Sequence, residues 1–263
     1  MLLVLKRVQQ LLFFSMPLVL NHTKDLIEAT HKMSVPSRYM GLWKRLLLEK
    51  KDVNDNHSLV LWLQTHRHHI ELIIPSGRPD FSSHESLEDC SFEELYWLAS
   101  QQGFSGKTYV YSDICNWQRE LDYQTGNGDL YKAKMAFDGN NTLLETGIDS
   151  VYLAIWKKLD ESENRFETHT IDALDRHQNW TPAYLLQAAN HVALVRPRST
   201  SIPASSSIVQ AIKDFDPNRE TLMNWMDFEI SFGTLFDHEF WRIDHSTLPW
   251  KEGQIMKIPD MQF

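Results

Sequence analysis

The chain is poor in cysteine. Only Cys90 and Cys115 occur among 263 residues, too few for the disulfide framework that staples small secreted domains. Two free thiols in a reducing compartment are the expectation, which points to the cytoplasm. Basic clusters are missing as well. The formal net charge is −9, and the densest basic run, THRHH, holds one full charge. Nucleic-acid binding needs a local basic patch, and this sequence offers none. No apolar run reaches the ~20 residues of a spanning helix, so no membrane span is expected. The chain has no G-x-G-x-x-G, no P-loop and no G-x-S-x-G, which leaves nucleotide binding and serine nucleophiles without a motif. It has no H-E-x-x-H and no cysteine pair of zinc spacing. No cofactor and no metal are expected.

What is present suits a substantial core. Hydrophobic residues make up 42% and aromatics 11%, enough for one large domain or two small ones. Four N-x-S/T triplets, at Asn21, Asn56, Asn140 and Asn179, matter only if the chain is secreted.

The first residues read differently from the rest. MLLVLKRVQQLLFFSMPLVL has a basic step and an apolar run of signal-peptide length, but no A-x-A-like cleavage site follows. Three readings stand: an extension upstream of a true start at Met33, a small docked helix, or a targeting segment. Residues 1–33 are therefore set apart from a domain over 34–263.

From Tyr39 the dominant period is two, the mark of half-buried strands. MGLWKRLLLE, SLVLWLQ and HIELIIP come first. One helix follows in SFEELYWLASQQG, where Ser91 and Glu94 form a capping box and Gly103 closes the segment. KTYVYSD, NWQRELDYQ, LYKAKMAFDG, TLLETG and VYLAIWKKL continue the strands, with DGNN a hairpin turn. FETHTIDAL reads as a strand. AYLLQAANHVALVRP is open between helix and strand, with valines favouring a strand in its second half. SIVQAIKDF is a second short helix. LMNWMDFEISFG reads as a strand with Met226, Phe228, Ile230 and Phe232 on one face. EFWRID and QIMKIP end the chain. Many short strands, tight turns and two short helices imply a mainly β, antiparallel barrel or sandwich.

GLWK at Gly41 to Lys44, opening the first long strand, resembles the G-x-W signature of lipocalins and the wider calycin barrels. WLQT, a helix ending QQGF, CNWQRELDYQ and SFG…W…STLPW are similar to a set of uncharacterised lipocalin-like proteins, a broad group that includes a yeast protein named for interacting with a casein kinase. The resemblance covers roughly residues 38–256. It implies a closed antiparallel barrel with an interior cavity. It implies no agreed activity and carries no catalytic motif across.

Two sets of residues invite chemistry. His66 and His68 are two apart and share a face on a continuous strand, half of a zinc site, with His169, His191 or Glu71 as a third ligand. The flanking strands are of ordinary length without them, so the segment reads as a solvated hairpin turn and not as a metal site. The second set is charged residues within apolar faces. Trp117, Arg119, Leu121 and Tyr123 alternate on one side of a strand. Phe240 and Arg242 share a side, and Asp227, Glu229 and Ser231 lie opposite the phenylalanines. An inward guanidinium must meet a carboxylate or a ligand oxygen. Trp117, Arg119, Tyr123, Glu229 and Arg242 are thus the expected ligand-binding residues, with Glu229 and Arg242 meeting across a late hairpin.

The leading expectation is a soluble protein that holds a small hydrophobic or amphipathic molecule in a barrel cavity. The alternative is a metal-independent barrel enzyme of isomerase, cyclase or decarboxylase type. Its mark would be an inward carboxylate of raised pKa beside a tyrosine or arginine. A third class is a filled barrel that acts by binding a protein partner.

Overall fold

The computed structural model describes residues 35–125, 130–159, 165–237 and 239–258. The readings of residues 1–33 fall outside these. The described residues belong to one compact unit.

Nine strands build the first sheet: β1 (Gly41–Lys50), β2 (Val53–Asp55), β3 (Leu59–Gln64), β4 (His68–Ile74), β5 (Gln102–Tyr111), β6 (Ile114–Asp122), β7 (Leu130–Asp138), β8 (Thr142–Gly147) and β9 (Tyr152–Lys158). From β3 to β9 each pairs with the next, and β1 pairs with both β3 and β9. Eight strands therefore close into an antiparallel barrel, which leaves the main sheet no long open edge. The short β2 adds to the end of β1, pairing Leu48 with Asp55. A bulge between Arg45 and Leu47 bends β1 as it runs along β9.

The later strands do not join the barrel. β10 (Phe166–Leu174), β11 (Trp180–Ala188), β12 (His191–Arg196), β13 (Glu229–Leu235), β14 (Phe240–Ser246) and β15 (Ile255–Lys257) form a second antiparallel sheet in chain order. Strands β11, β12 and β13 pack against β3 and β4. This explains why LVLWL is apolar at every position. Val60 and Trp62 enter the barrel cluster, while Leu61 and Leu63 enter the core shared with the second sheet. Ile70, Leu72 and Ile74 of β4 join that shared core.

Three helices complete it: α1 (Phe92–Leu98), α2 (Ile208–Phe215) and α3 (Arg219–Met226). The capping box of α1 is present: the Glu94 N–H donates to Ser91 Oγ at 3.2 Å, and the Ser91 N–H to the Glu94 carboxylate at 2.7 Å. Gly103 does not close this helix. It lies in β5, where a Cβ would meet the Glu71 carbonyl and the Ile230 side chain. The α3 segment corrects the all-strand reading of LMNWMDFEISFG. Asn218 Oδ1 accepts the Thr221 N–H at 2.8 Å and starts a helix. Leu222, Met223 and Met226 then share its buried face, and β13 begins only at Glu229. AYLLQAANHVALVRP resolves into β11 and β12, joined at a tight turn where Ala189 takes φ 53°.

Candidate functional site

The barrel interior is built on indoles. Trp43, from GLWK, is fully buried, and its Nε1 donates to the Tyr39 carbonyl at 2.7 Å. It stacks on Trp62 with centroids 6.2 Å apart, and Trp62 meets Trp117 and Trp156 edge-on at 6.0 and 5.7 Å. Beyond this cluster a pocket of about 690 Å³ is lined by Trp62, Phe104, Trp117 and Trp156 together with Arg119 and Glu71. That volume lies in the range of small-molecule sites, ~300–1,000 Å³.

Both arginines of the pocket have their own aspartates. Arg45 pairs with Asp55 at 2.7 Å and Arg119 with Asp122 at 2.9 Å. The Arg119 guanidinium also lies 3.7 Å from the Phe104 ring centroid and 3.8 Å from that of Tyr131, contacts that favour a flat cation on aromatic faces.

Among the described residues, three carboxyls of the pocket form no ion pair: the exposed Asp149, and Glu145 and Glu71 further in. Glu145, on β8, accepts hydrogen bonds from Tyr152 Oη at 2.5 Å and Trp156 Nε1 at 2.8 Å. Burial raises its pKa, and these two donors oppose the rise. The Tyr152 phenol is raised in turn by its own burial and by the charge of Glu145. Glu71, on β4, stands between its cross-strand neighbours Trp62 and Phe104. Its carboxyl is pushed up to about 7, first by burial and then by the negative charge of Glu145. Arg119 and Arg45 pull the other way without cancelling this.

The five residues expected from the sequence are divided. Trp117 and Arg119 line the pocket. Tyr123 does not: it is fully buried in the shared core, where its hydroxyl donates to the Leu98 carbonyl at 3.0 Å. The cause is a bulge. Gly106 pairs with Arg119 but Ser105 with Leu121, so Glu120 is extra on β6 and the faces swap beyond it. Asp122 then stands opposite Phe104, while Leu121 and Tyr123 turn to the shared core. Glu229 is buried away from the pocket. It accepts from Lys251 Nζ at 2.6 Å and Ser231 Oγ at 2.8 Å, with Arg196 Nε at 3.7 Å. Arg242 is 61% exposed at its side chain and pairs with Asp244. The β13–β14 register sets Arg242 opposite Thr234, five residues along from Glu229, so the two do not meet.

The histidine segment is a hairpin connection. The Thr65 N–H donates to the His68 carbonyl at 2.9 Å, and His66 packs edge-on against Phe166. His69 alone is fully buried, with Nδ1 3.0 Å from Thr108 Oγ1. Elsewhere, His84, Cys90 and Glu94 bring ligand-type atoms within 4.8 Å of one another. The geometry around them has other uses. Glu94 already accepts the Ser91 N–H of the helix cap and lies 3.2 Å from His84 Nε2. Burial pushes the Cys90 thiol up to about 12, which disfavours the thiolate a metal needs.

Glu71 and Glu145 were not among the expected ligand-binding residues. The signal for Glu71 was a lone carboxylate inside HIELII, an otherwise apolar run; for Glu145 it was the same feature in TLLETG.

No protein-family model matches the chain, and no curated protein matches it. Among solved structures, the chain is similar to an uncharacterised protein of Saccharomyces cerevisiae, with a TM-score of 0.47 and 10% identity over 78% of this chain and 84% of that one.

Proposed function

We propose that this protein is a lipocalin-like binding protein that holds a small, largely apolar molecule in the mouth of its barrel. The observation that carries this reading is the pocket of about 690 Å³ walled by Trp62, Trp117 and Trp156. Indole faces offer a flat ligand a large apolar contact area. Arg119, fixed by Asp122 and two rings, supplies a rigid polar edge. The open volume counts against a solidly filled barrel. Two buried free cysteines fit a cytoplasmic protein that takes its ligand from a reducing compartment.

Native mass spectrometry of the freshly purified chain tests this reading. A discrete small-molecule adduct is expected, lost in a Trp117→Ala variant that still folds. A chain that is bare, and that also fails to bind any of a panel of indoles and naphthalenes added at millimolar concentration, would end it.

A metal-independent enzyme is the second reading, and one observation favours it. Glu71 is an inward carboxyl whose pKa is pushed up to about 7, with Arg119 and Tyr152 around the same pocket. Such a group is poised for proton transfer at neutral pH.

A further inference from the structure

The pocket carries a charge pattern that selects among apolar ligands. Each of its two arginines is matched by an aspartate, Arg45 by Asp55 and Arg119 by Asp122. Among the described residues its two glutamates form no ion pair, and neither does the exposed Asp149 at its rim. Glu145 is held by two neutral donors, the Tyr152 hydroxyl and the Trp156 indole. Glu71 is half-buried and lines the pocket, and no donor of the described residues hydrogen-bonds its carboxyl. The walls beside it are electron-rich ring faces, which attract cations as well as apolar bodies. An uncompensated carboxyl among aromatic rings lacks a cation, and a ligand is the natural source of one.

We propose that the pocket takes an amphipathic amine, with its aromatic body among Trp62, Trp117 and Trp156 and its ammonium group on the Glu71 carboxylate. The proposal rests on the pocket reading above and names its ligand class. Glu145 adds a second negative charge to the field at the site, while its own hydrogen bonds to Tyr152 and Trp156 keep it in place. Lys50 and Lys132 also line the pocket, but both residues are exposed and their charges are screened by water.

Binding is coupled to protons. The charged and titratable groups that act on Glu71 are Glu145 from β8, Tyr152 from β9, Arg119 and Asp122 from β6 and Arg45 from β1. Burial first, then Glu145 and Asp122, hold a proton on Glu71, and the arginines oppose them. An ammonium ion adds to the arginines and expels that proton. Affinity for an amine therefore rises as pH rises through 7, and binding releases a proton at neutral pH.

Isothermal titration calorimetry with three matched indoles tests this: tryptamine as the cation, 3-ethylindole as the neutral body, and indole-3-propionate as the anion. Tryptamine is expected to bind about tenfold or more tightly at pH 8.0 than at pH 5.5, with proton release seen as a buffer-dependent heat near pH 7. 3-Ethylindole should bind equally at both pH values and more weakly than tryptamine at pH 8.0. The anion should bind most weakly. In Glu71→Gln the tryptamine affinity should drop to that of 3-ethylindole, with the 3-ethylindole affinity unchanged, which also shows that the pocket is intact. If 3-ethylindole binds but tryptamine has no advantage, or keeps its advantage in Glu71→Gln, the amine assignment is overturned and the pocket reading survives. If none of the three binds at either pH, the pocket reading falls and the amine assignment with it.

Discussion

The Arg119 guanidinium lies 3.7 Å from the centroid of the Phe104 ring. The bulge opposite Gly106 brings a carboxylate to this contact, because with Glu120 extra on β6 Asp122 stands opposite Phe104. Asp122 then reaches Arg119 at 2.9 Å, and Tyr131 offers a second ring at 3.8 Å. Arg119→Met gives up the ion pair and both cation–π contacts. It is expected to lower stability by about 1–3 kcal/mol in urea melts, since the site is partly screened by water. Arg119→Lys keeps the charge but not the flat stack, and should recover less than half of the loss. Equal stability of Lys and wild type would show that the rings contribute nothing.

Most strands were legible because alternation is a local property: the expected strands from MGLWKRLLLE to VYLAIWKKL form, and only the short β2 was not foreseen among them. Partnership among strands was not. LVLWL and HIELII carry apolar residues on both faces, and that signal means burial on two sides, here by the barrel interior and by the second sheet. Reading it would have separated β10–β15 from the barrel. The site was half legible. Trp117 and Arg119 precede the bulge and lie where alternation puts them; Tyr123 follows it and does not. Gly106 is the trace of that bulge in the sequence, for a Cβ there would collide with the Gln118 carbonyl. Glu71 entered the sequence reading only as a possible metal ligand; its apolar neighbours, which bury it, are the reason that its pKa is raised.

Trp43 is expected to be the most costly indole to remove from the barrel interior. It is fully buried, stacks on Trp62, meets Phe137 edge-on and donates to Tyr39. Trp43→Ala should cost about 3–5 kcal/mol in denaturant unfolding. Trp180, 70% exposed on β11, is the control, and its replacement by alanine should cost under about 1 kcal/mol. A small loss at Trp43 would count against the G-x-W resemblance.

Glu229 belongs to a structural network. Arg196 is 1% exposed and contacts Asp227 at 2.6 Å and Glu229 at 3.7 Å. Arg196→Met takes the ion-pair partner from the buried Asp227 and leaves Glu229 paired with Lys251 alone among the described residues, and should destabilise by about 3–5 kcal/mol. Arg242→Ala removes an exposed pair with Asp244 and should change stability by less than about 1 kcal/mol. Thermal melts of the two variants side by side measure both. A large effect at Arg242 would reinstate it as a buried anchor.

Residues 1–32 are expected to be dispensable for folding. The closed barrel, the second sheet and their shared core are complete within residues 35–258. A chain starting at Met33 should stay soluble and melt within roughly 2 °C of the full chain. Insolubility, or a much lower melting temperature, would mean that the segment docks into the core.

Acid should expose His69. In the folded chain its pKa is pushed down to about 3, first by burial and then by the charges of Arg119 and His68. In the unfolded chain an imidazole takes its proton near 6.5. Between these values the unfolded chain binds one proton more, so stability rises with pH across the window and is lost as pH falls from 6.5 toward 3. Glu71 acts in the opposite sense. Its ordinary value is 4.5 and its folded value about 7, so over that interval the folded chain holds the extra proton and stability falls as pH rises. The two slopes oppose each other between 4.5 and 6.5 and reach ~1.4 kcal/mol per pH unit each at most. Below 4.5, of these two, the His69 slope alone remains, beside that of carboxylates such as Asp55 and Glu229 whose pKa values are lowered in the folded chain. His69→Gln keeps an amide to meet Thr108 and cannot titrate. Relative to wild type, it should therefore gain stability as pH falls from 6.5 to 3.5, by about 1–3 kcal/mol in urea melts. In a Glu71→Gln background the wild-type imidazole should show its acid loss over the whole interval from 6.5 downward. A wild-type minus His69→Gln difference that stays flat with pH would mean that the folded barrel admits a protonated His69.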